Sequence, residues 1–448
     1  MTLLHASNES SGSYGDHIAS LRLNYEAALS RLSRKGSIEL EGVLLHSGSE
    51  DHYFGDDRGV PFQAYGHFLH WIPVNRPDQY VYFRPGQPTI YFQVVLQDFW
   101  YEQTIELDEA WIEQFQIIRL ASINELGKHL SGTAIAYLGA EVEFARSLGL
   151  ATTAINPAAL VAYLDFQRGI KTGYELVQLR EANRTGLLGH AAARSSFLNG
   201  GSEYNIHMAF LGACEILEEQ SPYTNIVALD EKSAILHYQH KRHDCAQKSQ
   251  VLLIDAGCRI NGYGSDITRT STKETANPVF KSLLAGMEKL ELALINQIKP
   301  GIPYQELHNA TLTGIANLLI EHQLCNQAVS TLLQQKIPQL FMPHGVGHLL
   351  GIQVHDVGGW QKDIAGTSLP PAEHSPALRN TRCMEKNMVF TIEPGFYFIP
   401  LLLEPERSQA RGKFINWELV DSLYPCGGIR VEDNVRVTED GVENLTRR

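Results

Sequence analysis

Cysteine is scarce in this chain of 448 residues: there are six, Cys214, Cys245, Cys258, Cys325, Cys383 and Cys426. None forms a CxxC pair, which argues against a zinc ribbon or a redox dithiol. Scattered thiols in a large chain fit a reducing compartment. Long apolar runs are also missing. None approaches the ~18 residues of a membrane-spanning helix, so no transmembrane segment is expected. The opening stretch MTLLHASNESSGSYGD has neither a basic n-region nor an apolar h-region, so no secretory signal is expected. Positive charge is in deficit, with 37 Lys and Arg against 50 Asp and Glu and a formal net charge of −13. That balance disfavours generic binding to nucleic acid or to an anionic membrane. Low-complexity tracts and short repeats are absent as well. A cytoplasmic, soluble protein is the expectation these absences leave.

What is present is ordinary globular material, 44% hydrophobic and 19% charged. The length suits two or three domains. The first sixteen residues are small and polar and are expected to fray. Ile18, Leu21, Tyr25, Leu29 and Leu32 then recur at helical spacing. GVLLH (Gly42 to His46) and AIAYLG read as buried strands. QYVYFRPGQPTIYFQVVL reads as two strands joined at Pro85-Gly86. Strands mixed with helices predict an α/β N-terminal domain over 1–168. A Gly-containing link at Arg168 to Gly173 leads into a helix free of Gly and Pro until Gly186. Beyond it, helices such as the one carrying Leu312, Ile315 and Leu319 alternate with strand pairs, which predicts an α+β domain over 169–448. Gln361 to Leu378 reads as a polar loop, and LLEPERSQARGKFIN as a second insertion.

Five stretches in the second domain carry residues suited to chemistry. PHGVGHLLGIQVHDVGG, from Pro343 to Gly359, holds His344, His348 and His355 among five glycines. The spacing of the histidines would suit one helix face. Each glycine costs a helix interior roughly 1 kcal/mol, so an irregular or extended backbone is expected instead. In VLLIDAGCRINGYGSDITRTS, Asn261-Gly262 is a strong two-residue hairpin turn. It would set Asp255 opposite Thr268 and Asp266 opposite Gly257, with both carboxylates on one side. Two close carboxylates need a proton or a cation between them. One turn-capping and one solvent-facing Asp is the plainer alternative. MVFTIEPGFYF ends an apolar strand on Glu393, and such a strand-end Glu often points to water. In GGIRVEDNVRV, Arg430 and Glu432 share the face opposite Ile429 and Val431, and taken alone this favours a solvated outer face. His237 follows an apolar strand-like run, with Tyr223 fourteen residues earlier; a lone His there is ordinarily structural. Taken together, four carboxylates and one imidazole make an oxygen-rich set. It suits two divalent ions, Mn²⁺ first, with Co²⁺ or Zn²⁺ as alternatives. Ions held there would lower the pKa of a bound water.

In order, Asp255, Asp266, His348, Glu393 and Glu432 resemble the five metal ligands of the pita-bread metallopeptidases. These include methionine aminopeptidases, aminopeptidase P, prolidases and the metal-free relative creatinase. PHGVGHLLGIQVHDVGG, TIEPGFYFI and GGIRVEDNV resemble the prolidase (Xaa-Pro dipeptidase) branch, which includes the bacterial organophosphorus acid anhydrolases. HYFGDDRGVPFQAYGHFLHWIPV in the N-terminal part is similar to the bacterial pattern more loosely. The resemblance implies a pita-bread catalytic domain behind a creatinase-like N-terminal domain that caps the cleft and dimerises. It implies two divalent ions per subunit and a homodimer.

The resemblance also implies roles. His237, His344 and His355 line the site, with His355 and His237 hydrogen-bonding the scissile carbonyl or its oxyanion. Glu393 handles the proton of the water. Arg379 or Arg382 grips the substrate carboxylate, and Arg430 supports Glu432 or shares that task. Tyr223, Val354 and the Asp56-Asp57 loop of a partner subunit shape the small pocket. The reaction implied is hydrolysis of Xaa-Pro dipeptides by a hydroxide bridging two divalent ions, with organophosphate triester hydrolysis as promiscuity. The competing readings are aminopeptidase P activity on longer peptides and a non-catalytic pita-bread binder. No nucleic acid and no membrane enter either.

Overall fold

The computed structural model of the chain describes residues 12–34, 39–103, 105–130, 134–244 and 248–447. Most of the opening stretch expected to fray, and Cys245, lie outside them. The chain divides into two compact units. One comprises Met1–Val177 with Asp363–Thr367, the other Gln178–Lys362 with Ser368–Arg448. The division falls within the helix Gly173–Leu198.

The first unit is built on a mixed five-stranded sheet. Its strands are β1 (Gly42–His46), β2 (Tyr80–Phe83), β3 (Ile90–Val94), β4 (Gln116–Leu120) and β5 (Ile135–Leu138). The order is β4-β3-β2-β1-β5, antiparallel at β1–β2 and β2–β3 and parallel at β1–β5 and β3–β4. The β2–β3 turn is the Pro85-Gly86 one read from the sequence, and Gly86 takes φ +69°. Burial on both faces explains why these strands read as apolar runs rather than alternating ones. The helix Tyr14–Arg34 buries Ile18, Leu21, Tyr25, Leu29 and Leu32, the periodic set of the sequence.

The second unit holds two three-stranded sheets. One is ordered β10-β7-β6, from β6 (Ile226–Leu229), β7 (Val251–Asp255) and β10 (Thr268–Thr272). The strands β8 (Arg259–Ile260) and β9 (Tyr263–Gly264) form a hairpin between β7 and β10. The other sheet is β11-β14-β15, from β11 (Val389–Ile392), β14 (Asp433–Val437) and β15 (Val442–Asn444). The strands β12 (Gly395–Tyr397) and β13 (Gly428–Arg430) pair as a separate two-stranded sheet. Helices Glu203–Cys214, Pro278–Ile295 and Tyr304–Glu321 belong to the same unit. The helix from Gly173 runs through Gly186 and Gly189 to Leu198. At Gly189 a Cβ would come within 2.5 Å of Cys214 Sγ and 2.6 Å of the Phe210 ring. Glycine here permits close helix–helix packing and does not end the helix. Gln361 to Leu378 contains no helix or strand, whereas the second insertion forms short helical turns.

Candidate metal centre

Asn261 (φ +47°) and Gly262 (φ +91°) close the β8–β9 hairpin with the left-handed backbone of a type I′ turn. One register then holds throughout: Arg259 faces Gly264 and Asp255 faces Thr268, as the sequence predicts. The same register sets Gly257 against the segment of Ser265 and Asp266. A Cβ on Gly257 would lie 1.9 Å from the Ser265 carbonyl oxygen, so only glycine fits. Asp255 and Asp266 are both buried, which excludes the plainer reading of a solvent-facing Asp. Tyr223 donates its hydroxyl proton to Asp255 Oδ1 at 2.7 Å. Arg430 donates from Nη2 to Asp255 Oδ2 at 2.5 Å.

His348 lies in an irregular stretch that runs beside β11. Thr391 N–H donates to His348 O at 3.0 Å, and Glu393 N–H to Val346 O at 2.8 Å. Gly347, between them, takes φ +153°, and a Cβ there would sit 2.1 Å from Thr391 O. Glycine therefore brings His348 against the strand that ends on Glu393. His348 Nδ1–H donates to Leu349 O at 3.0 Å, which leaves the Nε2 lone pair for the cavity. Nε2 lies 3.3 Å from Asp266 Oδ2 and 3.5 Å from Glu393 Oε1. Glu432, between β13 and β14, is bridged to Thr268 and accepts the Thr268 hydroxyl at 2.6 Å. Arg430 and Glu432 are 5% and 2% exposed. The strand's polar face is turned inward, contrary to the solvated reading.

One ligand atom each from Asp266, His348 and Glu432 lies within 4.8 Å of the others. Asp255 and Glu393 line the same cavity of about 320 Å³, at the small end of ligand pockets. Burial pushes the Glu393 carboxyl up to about 7, with the charges of Asp266 and Asp255 adding to the shift. Burial also raises Glu432 well above the ordinary range, helped by Asp266, Glu393 and Asp255. Burial raises Asp255 despite Arg430 beside it. For Asp266 burial is outweighed by His348, so its carboxyl stays below its usual value. Four carboxylates share one cavity, and Arg430 is the guanidinium bonded to one of them. They demand protons or cations, and an oxygen-rich set with one imidazole fits divalent ions.

The other expected residues separate. His237, His344, His355, Arg379 and Arg430 line the cavity. His237 follows a helical turn at 230–234 rather than a strand end. His344 Nδ1–H donates to Gly345 O at 2.8 Å, so Nε2 receives the Tyr397 hydroxyl at 2.9 Å. Burial holds His344 down to about 3, with Arg430 adding to it. His355 meets the His348 ring edge-on at 4.4 Å and is held near 4 by burial and the neighbouring His348. Arg382 is buried and donates to Glu385 at 2.9 Å, and it is not among the cavity-lining residues. Arg430 spends its donors on Asp255, Tyr397 (2.9 Å) and Thr268 (3.1 Å). Tyr223 touches Asp255 directly instead of only shaping a pocket. Val354 is half-buried beside Gly264. Asp56 and Asp57 lie on an exposed turn of the first unit. Tyr397, Thr268, Thr391 and Asn434 were not singled out in the sequence. Only Tyr397 had a signal there, as a polar-tipped aromatic in the strand following Glu393.

Among the described residues a second buried trio, His17, His70 and Glu175, also brings ligand atoms together. Its atoms have a local explanation. Glu175 Oε2 accepts the Thr172 N–H at 2.8 Å and Thr172 Oγ1 accepts the Glu175 N–H, a capping box. His70 Nε2 faces Glu175 Oε1 at 3.3 Å, and His70, His17 and then the buried Lys171 outweigh burial and hold that carboxyl down to about 2. A cation would meet another cation there.

Residues 177–439 match the profile of metallopeptidase family M24, and residues 12–166 that of the N-terminal domain of Xaa-Pro dipeptidase. The chain belongs to metallopeptidase family M24. Within it, the chain is 40% identical to the Xaa-Pro dipeptidase of Pseudoalteromonas atlantica over 440 residues, 97% of each sequence. It is also 40% identical to that of Shewanella putrefaciens over 439 residues, again 97% of each. The fold is similar to that of aminopeptidase PepP from Pseudomonas aeruginosa, with TM-score 0.73, 22% identity and 96% and 94% of the two chains covered. Aminopeptidase P from E. coli with the inhibitor Pro-Leu gives 0.72 at 21% identity, with 95% and 94% covered. The α/β domain with an α+β pita-bread catalytic domain is the architecture read from the sequence. No helix among the described residues is long and apolar enough to cross a membrane.

Proposed function

We propose that the chain hydrolyses Xaa-Pro dipeptides to a free amino acid and proline. The observation that carries the reading is the buried set Asp255, Asp266, His348, Glu393 and Glu432 around one small cavity, in a chain matched end to end by Xaa-Pro dipeptidases. These five residues would hold two divalent ions, Mn²⁺ first among them. When bound, the ions supply Lewis acidity and lower the pKa of water.

The chain's own groups do the rest. Glu393, whose carboxylate lies on the cavity wall 3.5 Å from His348 Nε2, is the group placed to take and return the proton of the attacking water. His355 and His237, both on the cavity wall, offer hydrogen bonds to the scissile carbonyl or its oxyanion, while His344 is held by Gly345 and Tyr397 and lines the site. Arg379, exposed on the cavity wall, supplies the guanidinium for the substrate carboxylate. Arg430 and Tyr223 hold Asp255 in place. A homodimer and a cytoplasmic location belong to the same reading; the five described cysteines are free thiols, as a reducing compartment would keep them.

The test is a panel of Xaa-Pro dipeptides after chelator stripping and reloading with Mn²⁺, Co²⁺ or Zn²⁺, run beside a longer Ala-Pro peptide. Turnover of Ala-Pro is expected. Efficient cleavage of only the longer peptide would replace the dipeptidase reading with aminopeptidase P activity.

A further inference from the structure

The residues that touch the carboxylate cluster from behind form a chain leading away from it. Asn434 is fully buried on β14, two residues beyond Glu432. Its carboxamide takes both backbone groups of Asp266: Oδ1 accepts the Asp266 N–H at 3.0 Å, and Nδ2 donates to the Asp266 carbonyl. Asn434 thus ties β14, which begins just after Glu432, to the loop carrying Asp266, 168 positions from Asn434. Its own backbone N–H donates to Thr446 Oγ1 at 2.8 Å. The Thr446 hydroxyl, buried, donates in turn to Asn183 Oδ1 at 2.8 Å. Asn183 is anchored to its own helix through Nδ2 and the Leu179 carbonyl at 2.9 Å. One hydroxyl therefore joins the helix Gly173–Leu198 to β14 and fixes the residue that grips Asp266.

The neighbouring contacts point the same way. Asp433, fully buried, accepts from Arg269 at 2.6 Å, from Asn444 Nδ2 at 2.7 Å and from Arg447. Arg269 also donates to the Glu432 carbonyl at 2.7 Å. The segment Asn444–Arg447 thus holds the Asp433 carboxylate and both backbone groups of Asn434.

We propose that Thr446 is a positioning residue for the metal centre: its hydroxyl locks Asn434, and Asn434 sets the distance between Asp266 and Glu432. Thr446 touches neither substrate nor ion. Supporting groups of this kind commonly change metal affinity by about 10- to 100-fold when removed. The inference rests on the ligand assignment proposed above.

The experiment uses the full chain, stripped with chelator and titrated with Mn²⁺ alone in competition with a fluorescent chelator. Thr446→Val keeps the shape and removes the hydroxyl; Thr446→Ser keeps the hydroxyl. Val is expected to weaken Mn²⁺ binding by about tenfold or more, while Ser stays within about twofold of wild type. At saturating Mn²⁺, kcat for Ala-Pro falls in the Val variant and KM barely moves. If Val does not fold, Thr446→Cys, a weak hydrogen-bond partner of similar size, is expected to give a smaller loss in the same direction. Wild-type affinity in the Val or Cys variant overturns the inference. So does equal weakening by Val and Ser, which would mark a packing effect. A wild-type chain that binds no Mn²⁺ would instead sink the ligand assignment itself.

Discussion

Gly347→Ala tests how His348 is delivered to the cavity. Gly347 has φ +153°, and a methyl there would meet Thr391 O at 2.1 Å, Tyr304 Oη at 2.3 Å and Thr391 Oγ1 at 2.6 Å. Two of these atoms are held in place, because the Tyr304 hydroxyl donates to Thr391 O at 2.7 Å inside the core. Overpacking of a tight site costs about 1–3 kcal/mol, and an unfavourable backbone conformation costs a further 1–3 or so. Together they give about 2–6 kcal/mol, or a fall in melting temperature of roughly 4 to 24 °C. The relief available is for the 346–348 segment to lift away from β11. That would carry His348 Nε2 away from Asp266 and Glu393. Mn²⁺ bound per chain, measured by atomic emission after dialysis, should therefore fall together with the melting temperature. Gly212→Ala is the control. Gly212 lies in the helix Glu203–Cys214 with nothing within 4 Å of a built Cβ, so alanine should gain roughly 0.5–1 kcal/mol. A Gly347→Ala protein as stable as wild type, with full metal content, would show that close approach of this backbone to β11 is not what places His348.

Three further outcomes follow from the same geometry. Asp255→Asn and Glu432→Gln should each abolish Ala-Pro hydrolysis while circular dichroism stays near wild type; retained turnover in either would break the ligand assignment. Arg379→Ala should raise KM for Ala-Pro by at least ~10-fold, the weight of a charge-assisted hydrogen bond, whereas Arg382→Ala should act on stability, because Arg382 is buried and bonded to Glu385; the reverse pattern would exchange their roles. His308 is buried, is bonded through Nε2 to Ser375 Oγ at 2.9 Å, and has its pKa pushed down to about 4, first by burial and then by His374. Since the unfolded imidazole titrates near 6.5, the unfolded chain binds a proton that the folded one refuses between those values. Stability should fall as pH drops through that window, by about 2 kcal/mol for this group between pH 7 and 5. Urea unfolding at the two pH values should show a correspondingly smaller loss for His308→Gln, and an unchanged difference would count against a neutral buried imidazole.

The residues we propose as ligands could be singled out in the sequence because each sits in a local pattern whose consequence is local. Asn261-Gly262 dictates a two-residue turn, the turn dictates the register, and the register places Asp255 against Thr268. Alternation in GGIRVEDNVRV paired Arg430 with Glu432 on one face. It could not say whether that face was wet, because the answer lies in β10, some 160 residues away. Thr268, Thr391 and Asn434 stayed hidden for the same reason. A Thr or Asn on a strand carries no sign of function until its distant partner is known. How far the helix beginning at Gly173 runs past Gly186 is not written in its own residues, because glycine at Gly189 is required by the distant Cys214 and Phe210 side chains.

The use made of Arg430 decides how the rest of the cavity must work. From sequence alone, three arginines competed for the substrate's carboxylate. Arg430 has Nη2 on Asp255, Nη1 on Tyr397 and Nε on Thr268, and Thr268 in turn bonds Glu432. Redirecting that guanidinium to a substrate would break three buried hydrogen bonds from a charged donor, at about 1.5–3 kcal/mol each. That exceeds what one more charge-assisted hydrogen bond returns, about 1.5–3 kcal/mol. Arg430 therefore belongs to the carboxylate frame. Of the arginines lining the cavity, Arg379 is then the one we propose to meet an incoming carboxylate. Being exposed, it can do so without first breaking a buried pair.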